Sequence, residues 1–440
     1  MQNQRVDEIV RDPEAFFKDS MWRAGVVGLG YVGLPLLITA TESGFATIGF
    51  DVSSDRIETL TAGKSHIDDI SDGDIETALA AGTVFSDDPN SLSEADAIFI
   101  CVPSPLGRNR QPDLSFIEAA TATIERVVRP GHLIVLESTS YPGTTEDFIV
   151  PAVHRAGLEL DRNVFVAFSP ERVSPGDDLK ISEIPKVIGG VTRRSGHVAA
   201  AAYQRLVDSV HLVTSVRAAE MTKLLENTYR AVNIGLANEM AQLAHELGID
   251  IWEVIDAAST KPFGFKAFYP GPGVGGHCIP LDPQYLAWRA REARFTTRFI
   301  DTAEQVNTKM PEYTASRIAE LLNKRGLPIL GSEILGVGIA YKPDIADDRE
   351  SASVEVLDQL ARRGAVISVL DEIVGSERIR HHGFRPVSAT DDLSRFHMAA
   401  ILTDHSTVDY TKLANKLPIV FDARGVYRRM DLLPENIESL

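Results

Sequence analysis

Between Ala24 and Asp51 the chain reads AGVVGLGYVGLPLLITATESGFATIGFD. AGVVGLG is a short apolar strand entering a turn, YVGLPLLITATESG is a helix ending at Gly44, and ATIGFD is a second strand. Gly28, Gly30 and Gly33 fall on the GxGxxG spacing, and Asp51 closes the second strand 21 residues beyond Gly30. The first two glycines permit a tight turn and close approach of backbone to a pyrophosphate, and the third lets helix and strand pack closely. Phosphates then sit at the helix amino end beside Tyr31, Val32 and Gly33, where unpaired N–H groups and the dipole favour anions. A carboxylate at Asp51 binds ribose hydroxyls and repels a 2′-phosphate, so the expected cofactor is NAD rather than NADP. A glycine triplet alone marks only a tight turn; the strand, helix and acid around it decide for a dinucleotide. Arg56 reads two ways, as a cation neutralising the cofactor or as a solvated helix residue.

Composition narrows the remaining choices. The 440 residues fit two to three domains, and 44% hydrophobic against 24% charged residues argues against a largely disordered chain. A formal charge of −18 excludes a broad nucleic-acid interface, because phosphate neutralisation needs a basic face. An anionic substrate therefore needs a local basic pocket. With only Cys101 and Cys278, no disulfide framework and no Cys/His zinc spacing exist. The first residues, MQNQRVDEIVRDPEAFFKDSMW, alternate charges and lack the apolar core of a signal peptide. Ala24–Thr41 runs eighteen residues without a charge, but its five glycines and prolines suit a strand, turn and helix better than a membrane span. A reducing, cytoplasmic setting without membrane partners is expected.

The alternation of strands and helices continues through AIFICV (97–102), HLIVLEST (132–139) and NVFVAFSP (163–170). This predicts a parallel, doubly wound sheet. From Ser215, SVRAAEMTKLLENTYRAVNIGLANEMAQLAHELG has no proline and carries apolar residues at helical spacing. At ~1.5 Å per residue such a helix runs about 50 Å, with an apolar stripe suited to a homodimer or larger homo-oligomer. IDIWEVIDAAST reads as a second helix and KPFGFKAFYPGPGVGGHCIPLDP as a long Gly/Pro loop, a length usually reserved for function. After Leu330 the alternation returns in GSEILGVGIAYKPD, SASVEVLDQLARRG, AVISVLDE, AAILTDHS and IVFDARG. The expected fold is α/β: two Rossmann-like doubly wound domains joined by a long central helix and helical segment. Its parts are a lead-in (1–22), an NAD-binding domain (23–214), a central helical, dimerising and cysteine-bearing segment (215–325) and a C-terminal domain (326–440).

Cys278 lies in GVGGHCIPLDP. A cysteine is most often a small buried hydrophobe. Here a glycine-rich approach and a following proline hold the backbone open, and Asp282 comes four residues later. If that segment turns helically, thiol and carboxylate share one face. Lys223 and Asn227, four apart in EMTKLLEN, also share a helix face; such a pair is ordinarily surface decoration.

Taken together these segments resemble the UDP-glucose/GDP-mannose dehydrogenase family of NAD-dependent nucleotide-sugar 6-dehydrogenases. The likeness runs from Gly25 to about Arg424. It rests on GLGYVGLP, CVPSP (101–105), EST (137–139), SPER (169–172), EMTKLLEN, the GGHC loop, YKPDIADDRES (341–351) and DARG (422–425). The resemblance implies oxidation of a sugar C6 hydroxymethyl to a carboxylate, consuming two NAD because each hydride carries two electrons. It makes Cys278 the nucleophile of a thiohemiacetal and then a thioester. Lys223 with Asn227 would stabilise the oxyanions, Asp282 would hold a water or the lysine, and Glu171 would help activate water for hydrolysis. Thr139 would place a water or the cofactor, with Ser104 and Arg349 among the cofactor contacts. Lys342 and Arg424 match basic positions that meet the substrate pyrophosphate. Gly275 and His277 fall on the substrate loop, and Lys261 lies near where a basic residue serves a neighbouring subunit.

His277 before the cysteine, Leu281 after it, and SPERVSPG resemble the UDP-N-acetylglucosamine 6-dehydrogenase branch, whose product feeds polysaccharide biosynthesis. UDP-glucose or dTDP-glucose is the alternative substrate. A two-electron hydroxyacid dehydrogenase of the 6-phosphogluconate type needs no nucleophilic thiol and leaves Cys278 and the second Rossmann-like half unexplained. A non-catalytic NAD-binding scaffold would tolerate loss of Cys278, Lys223 or Asp282, and all three are present.

Overall fold

The computed structural model describes residues 2–67, 69–107, 111–173, 181–432 and 434–440. They form two compact units. One comprises residues 1–226 with 284–294, and the other 227–283 with 295–440.

The first unit is built on β1 (Arg23–Val27), β2 (Ala46–Phe50), β3 (Val84–Ser86), β4 (Ala97–Ile100), β5 (Leu133–Leu136), β6 (Phe165–Phe168), β7 (Lys186–Gly190) and β8 (Val210–Leu212). Their order is β3-β2-β1-β4-β5-β6-β7-β8. The expected parallel sheet holds through β6; the β6–β7 pair is antiparallel. Both faces are covered, so the strands are continuous apolar runs whose alternate residues serve opposite layers. Ala97, Phe99, Leu133 and Val135 enter one core, while Ile98, Ile100, Ile134 and Leu136 enter the other. The lead-in completes the first of these cores. Helix Pro13–Asp19 starts at Asp12, whose side chain accepts the Ala15 N–H at 3.3 Å, and buries Phe16 and Phe17. Trp22 stacks on Phe45 with ring centroids 4.2 Å apart.

The second unit carries β9 (Glu333–Val337), β10 (Val366–Leu370), β11 (Arg385–Pro386), β12 (Met398–Ile401), β13 (Val420–Asp422) and β14 (Ile437–Ser439). Their order is β11-β10-β9-β12-β13-β14, parallel throughout. Counted from its first strand, this is the order found for β1–β6. Met398 and Ala400 face one core, Ala399 and Ile401 the other.

The proline-free stretch forms the 31-residue helix Val216–Glu246. Ile251–Ser259 comes next, with Asp250 capping it through Trp252 N–H at 2.9 Å. The expected loop of residues 261–283 is shorter than the sequence suggested, because a helix begins at Cys278 and runs to Glu292. Pro280 sits in its first turn, where the missing N–H has no intrahelical partner to lose, so only Pro283 removes a bond. Ala24–Thr41 is strand, turn and helix, and among the described residues no helix is long and apolar enough to cross a membrane.

Candidate active site

In the first unit the turn after β1 has the form that its glycines require. Gly28 has φ +89°, and a Cβ there would come within 2.8 Å of the Cys101 carbonyl. A Cβ on Gly33 would lie 1.9 Å from the Gly28 carbonyl, so that helix can start against the strand only without a side chain. A Cβ on Gly30 would meet no protein atom within 4 Å. Helix Gly33–Glu42 has no side-chain cap and no acid in its first turn. An open backbone position beside an uncapped helix amino end fits a pyrophosphate. Tyr31 is exposed and Val32 half-buried at this mouth. Asp51 is buried; its Oδ2 accepts the Leu29 N–H at 2.8 Å, its Oδ1 the Ser53 N–H at 3.0 Å, and Arg56 pairs with it at 2.6 Å. The acid thus braces the turn, and Arg56, partly exposed, pairs with it.

The carboxyl ends of β4, β5 and β6 present Ser104, Thr139 and Glu171. Ser104 is buried, and its carbonyl accepts the Tyr285 hydroxyl at 3.0 Å. Thr139 is half-buried. Glu171 is 8% exposed; its Oε1 accepts the N–H groups of Arg172 (2.7 Å) and Val173 (2.8 Å), and Lys186 donates to Oε2 at 2.8 Å. Lys186 also donates to Glu137 at 2.7 Å, and the Tyr203 hydroxyl completes the Glu137 site. Burial works to raise the Glu171 carboxyl, but Lys186 and the two N–H donors outweigh it and hold it below the usual range. Glu137 is raised, first by burial and then by Glu171, against the pull of Lys186. Lys223 is buried one helical turn after Glu220. Glu220 accepts the N–H of Thr145 at 2.9 Å and of Gly143 at 2.6 Å, as well as the Thr145 hydroxyl at 2.8 Å. Burial nonetheless lifts its carboxyl to about 7.

In the second unit Cys278 is exposed and opens helix Cys278–Glu292, so Asp282 lies one turn below it on the same face. The Asn227 amide donates to Asp282, which is buried. The glycines before Cys278 have a packing reason. Gly276 has φ +81° and a Cβ there would strike the Tyr341 ring at 2.7 Å, while one on Gly275 would meet the Glu350 carbonyl at 2.9 Å. The GGHC loop therefore lies directly on the YKPDIADDRES segment. His277 is exposed and Lys342 half-buried. Arg349 is exposed and pairs with Asp347 at 2.6 Å. Arg424 donates to Asp404 at 2.9 Å and crowds Gly271, where a Cβ would fall 2.8 Å from its guanidinium. It lines a pocket of about 220 Å³ with Trp252, Tyr269, Arg428 and Arg429. Lys261 stands apart from these groups, exposed over the Phe263 ring.

Sequence reasoning passed over Lys186, Glu137, Tyr203 and Glu220, although EST and EMTKLLEN contain the two carboxylates. The available signal was a lysine heading an apolar run in PKVIGG, since a buried cation needs buried anions. The Ser174-Pro175-Gly176 end of SPERVSPG lies outside the described residues.

Three family descriptions match the chain. These are the NAD binding domain of the UDP-glucose/GDP-mannose dehydrogenase family (residues 22–207), its central domain (217–309) and its UDP binding domain (335–429). An NDP-N-acetyl-D-galactosaminuronic acid dehydrogenase of Ralstonia nicotianae is 35% identical, covering 91% of this chain and 95% of its own. A UDP-N-acetyl-D-glucosamine 6-dehydrogenase of Pseudomonas aeruginosa is 33% identical over 83% of this chain and 86% of its own. Among solved structures, UDP-D-ManNAc dehydrogenase from Pyrococcus horikoshii superposes with a TM-score of 0.83. It is 31% identical, and 95% of this chain and 98% of that one are covered.

Proposed function

This chain belongs to the UDP-glucose/GDP-mannose dehydrogenase family, NAD-dependent oxidoreductases of nucleotide sugars, and from that premise we propose that it oxidises C6 of a UDP-2-acetamido sugar to the uronate. UDP-N-acetylglucosamine is the substrate of first choice. The supporting relatives act, by their names, on N-acetylated glucosamine, mannosamine or galactosaminuronic sugars. The observation that carries the reading is the opening of helix Cys278–Glu292, an exposed thiol one turn above an Asp282 anchored by Asn227.

NAD, when bound, accepts the hydride of C6 in each of the two oxidations. It would be held at Gly28, Gly30, Tyr31, Val32 and Gly33, with Asp51 towards the ribose and Ser104, Thr139 and Arg349 as further contacts. The Lys223 ammonium and the Asn227 amide stabilise the negative oxygen on C6 in each tetrahedral species. The Cys278 thiolate adds to the aldehyde, forming a thiohemiacetal, and the second oxidation leaves a thioester on Cys278. Asp282 holds Asn227 in place. Glu171 orients the water that releases the acid. Lys342 and Arg424 take the pyrophosphate, with Gly275 and His277 on the sugar side and Lys261 serving the site of a neighbouring subunit. The pocket of three arginines and Tyr269 supports an anionic nucleotide end.

A homodimer belongs to the same proposal. Met221, Leu225, Tyr229, Leu236 and Leu243 are exposed and fall on one face of helix Val216–Glu246. A second copy of that stripe is the natural cover for it. A cytoplasmic setting is part of the reading too, supported by the thiol chemistry of Cys278 and the NAD requirement.

The test is NADH formed per sugar consumed, with UDP-N-acetylglucosamine, UDP-N-acetylmannosamine, UDP-N-acetylgalactosamine and UDP-glucose run in parallel. Two NADH with one acetamido sugar is the expected result. One NADH removes the thioester, and preference for UDP-glucose removes the acetamido assignment. Cys278→Ser should cut uronate formation at least ~1,000-fold with sugar binding retained; undiminished product would exclude Cys278 as nucleophile.

A further inference from the structure

Lys186 is the first residue of β7, on the far side of the sheet's one antiparallel junction among the described residues. Phe168 pairs with Gly189 and Ala167 with Gly190. The amino end of β7 therefore runs past the carboxyl end of β6, alongside Ser169–Glu171. A parallel strand would have brought its own carboxyl end there. The reversal instead delivers a lysine to the edge where the turns bearing Thr139 and Glu171 emerge. Its Nζ bridges Glu137, two residues before Thr139, and Glu171. The side chains are 3%, 0% and 8% exposed, so the cluster is a buried ammonium between two buried carboxylates.

Such a cluster is weak evidence for stability, because desolvation consumes what the ion pairs return, and well-packed apolar residues of similar volume serve a fold as well. The geometry assigns it another task. Glu171 Oε1 is saturated by two backbone N–H groups and Oε2 is held by Lys186, which leaves a single lone-pair direction on Oε2 for a further partner. We propose that Lys186 is a positioning residue for release of the product, holding Glu171 as an oriented carboxylate whose remaining lone pair receives the attacking water. This rests on the reading of Glu171 and Cys278 given above.

The step balances without a redox partner. The water oxygen bonds to the thioester carbonyl carbon and one water proton passes to Glu171 Oε2. The carbon–sulfur bond breaks, and the proton goes on from Glu171 to the departing Cys278 thiolate. Acid and thiol result. A carboxylate held ionised by an adjacent ammonium is a modest base, so its contribution is chiefly orientation and a fixed negative charge beside a water gaining positive character.

The experiment tracks the acyl-enzyme. Enzyme, NAD and the sugar that the wild type oxidises are mixed and acid-quenched, and the Cys278 adduct is read by intact mass against NADH absorbance. In Lys186→Gln, hydrolysis should slow by about 100-fold, so that the adduct accumulates. The first NADH should form within ~3-fold of the wild-type rate, since only release of the acid engages Glu171 in this way. The acid limb of the hydrolysis phase should move up by about one pH unit or more, because Glu171 loses its cation. Glu137→Gln should move that limb down, because Lys186 then serves Glu171 alone. Lys186→Arg should restore hydrolysis to within ~10-fold. Unmoved limbs and no adduct in both Gln variants, with lowered melting temperatures, would make the cluster purely structural and overturn the proposal. Should Lys186→Gln not fold, the sign of the Glu137→Gln shift decides: downward supports, absent or upward overturns. A wild type that forms no Cys278 adduct at all would instead bring down the parent mechanism.

Discussion

The two sheets begin with the same device and end it differently. In each, a glycine succeeds the first strand at positive φ, Gly28 at +89° and Gly338 at +79°. Each donates to the end of the second strand, Gly28 to the Phe50 carbonyl at 2.8 Å and Gly338 to the Leu370 carbonyl at 3.0 Å. An aspartate beyond that strand braces the turn, Asp51 on Leu29 N–H at 2.8 Å and Asp371 on Ile339 N–H at 2.7 Å. The chains diverge beyond the turn. After Gly28 the helix starts at Gly33, whereas after Gly338 it starts only at Ala352. The residues between carry Tyr341, Lys342 and Arg349 and pack under the GGHC loop. The side chain that pairs with each aspartate differs as well. Arg56, partly exposed, pairs with Asp51, while His405, 1% exposed, donates from Nε2 to Asp371 and accepts Asp344 N–H at Nδ1. One strand order thus supports a phosphate cradle or a platform for a loop. The choice is made by a few residues between glycine and helix, not by the sheet.

The sharpest way to break this contrast is to add one methyl group to each turn. Gly33→Ala places a Cβ 1.9 Å from a backbone carbonyl that cannot move aside without shifting the helix. NADH titration should show binding at least ~10-fold weaker, about 1.4 kcal/mol or more. Gly338→Ala combines a left-handed φ with a Cβ 2.3 Å from the Thr403 carbonyl. It should destabilise the second unit by about 3 kcal/mol or more in urea while NADH affinity stays within ~2-fold. Loss of NADH binding in both variants would show that the two turns do not divide the work in this way.

Legibility in the sequence divides along the same line. GLGYVG, its helix and Asp51 are legible because each feature is local and periodic. GVGIAYKPD reads as strand then loop, without its likeness to the first turn, because the helix signal is displaced to Ser351 and Asp371 pairs with a histidine far along the chain. Val84–Ser86, Lys186–Gly190 and Val210–Leu212 give no strand signal of their own. Strands of three to five residues make too short a pattern for period-two reading. The placement of Asn227 on Asp282 needs helix Cys278–Glu292, and its two prolines disguise that helix as loop. The Lys186 cluster is only half legible for a different reason: the lysine heading PKVIGG calls for buried anions, but they lie 49 and 15 residues away, and only the antiparallel turn of β7 brings them together.

The two bracing aspartates should also separate under titration. Burial pulls the Asp371 carboxyl upward, but His405 and the N–H groups of Val374 and Ile339 outweigh it and leave it below the usual range. A carboxyl depressed on folding adds stability above its unfolded value, and that stability is lost as pH falls through the folded one. Asp371→Asn should therefore cost about 2–3 kcal/mol at pH 7, through unmet N–H donors and an unpaired His405, and the gap to wild type should close below about pH 4. Asp51→Ala should act instead on the Michaelis constant for NAD, raising it ~10-fold, with the unfolding of the second unit unchanged. An unchanged constant would remove Asp51 as the ribose ligand.

The smallest effect has the opposite sign and belongs to the first unit. Glu220 is lifted to about 7 by burial, although Gly143 and Thr145 donate to it. Its folded value lies above the unfolded one, so the folded state holds the proton more tightly. Stability contributed by the protonated form is present below about pH 4.5 and is lost as pH rises through about 7. Between pH 5 and pH 8 the wild type should lose ~1–2 kcal/mol that Glu220→Gln does not lose, because the amide cannot ionise. Hydrogen exchange reads the two units separately: amides near Gly143 and Thr145 should open more readily as pH rises, while those near Ile339 tighten from acid to neutral pH, after correction for intrinsic exchange. Parallel responses would mean that one global unfolding step governs both regions, and the division into a cofactor cradle and a loop platform would then have no counterpart in stability.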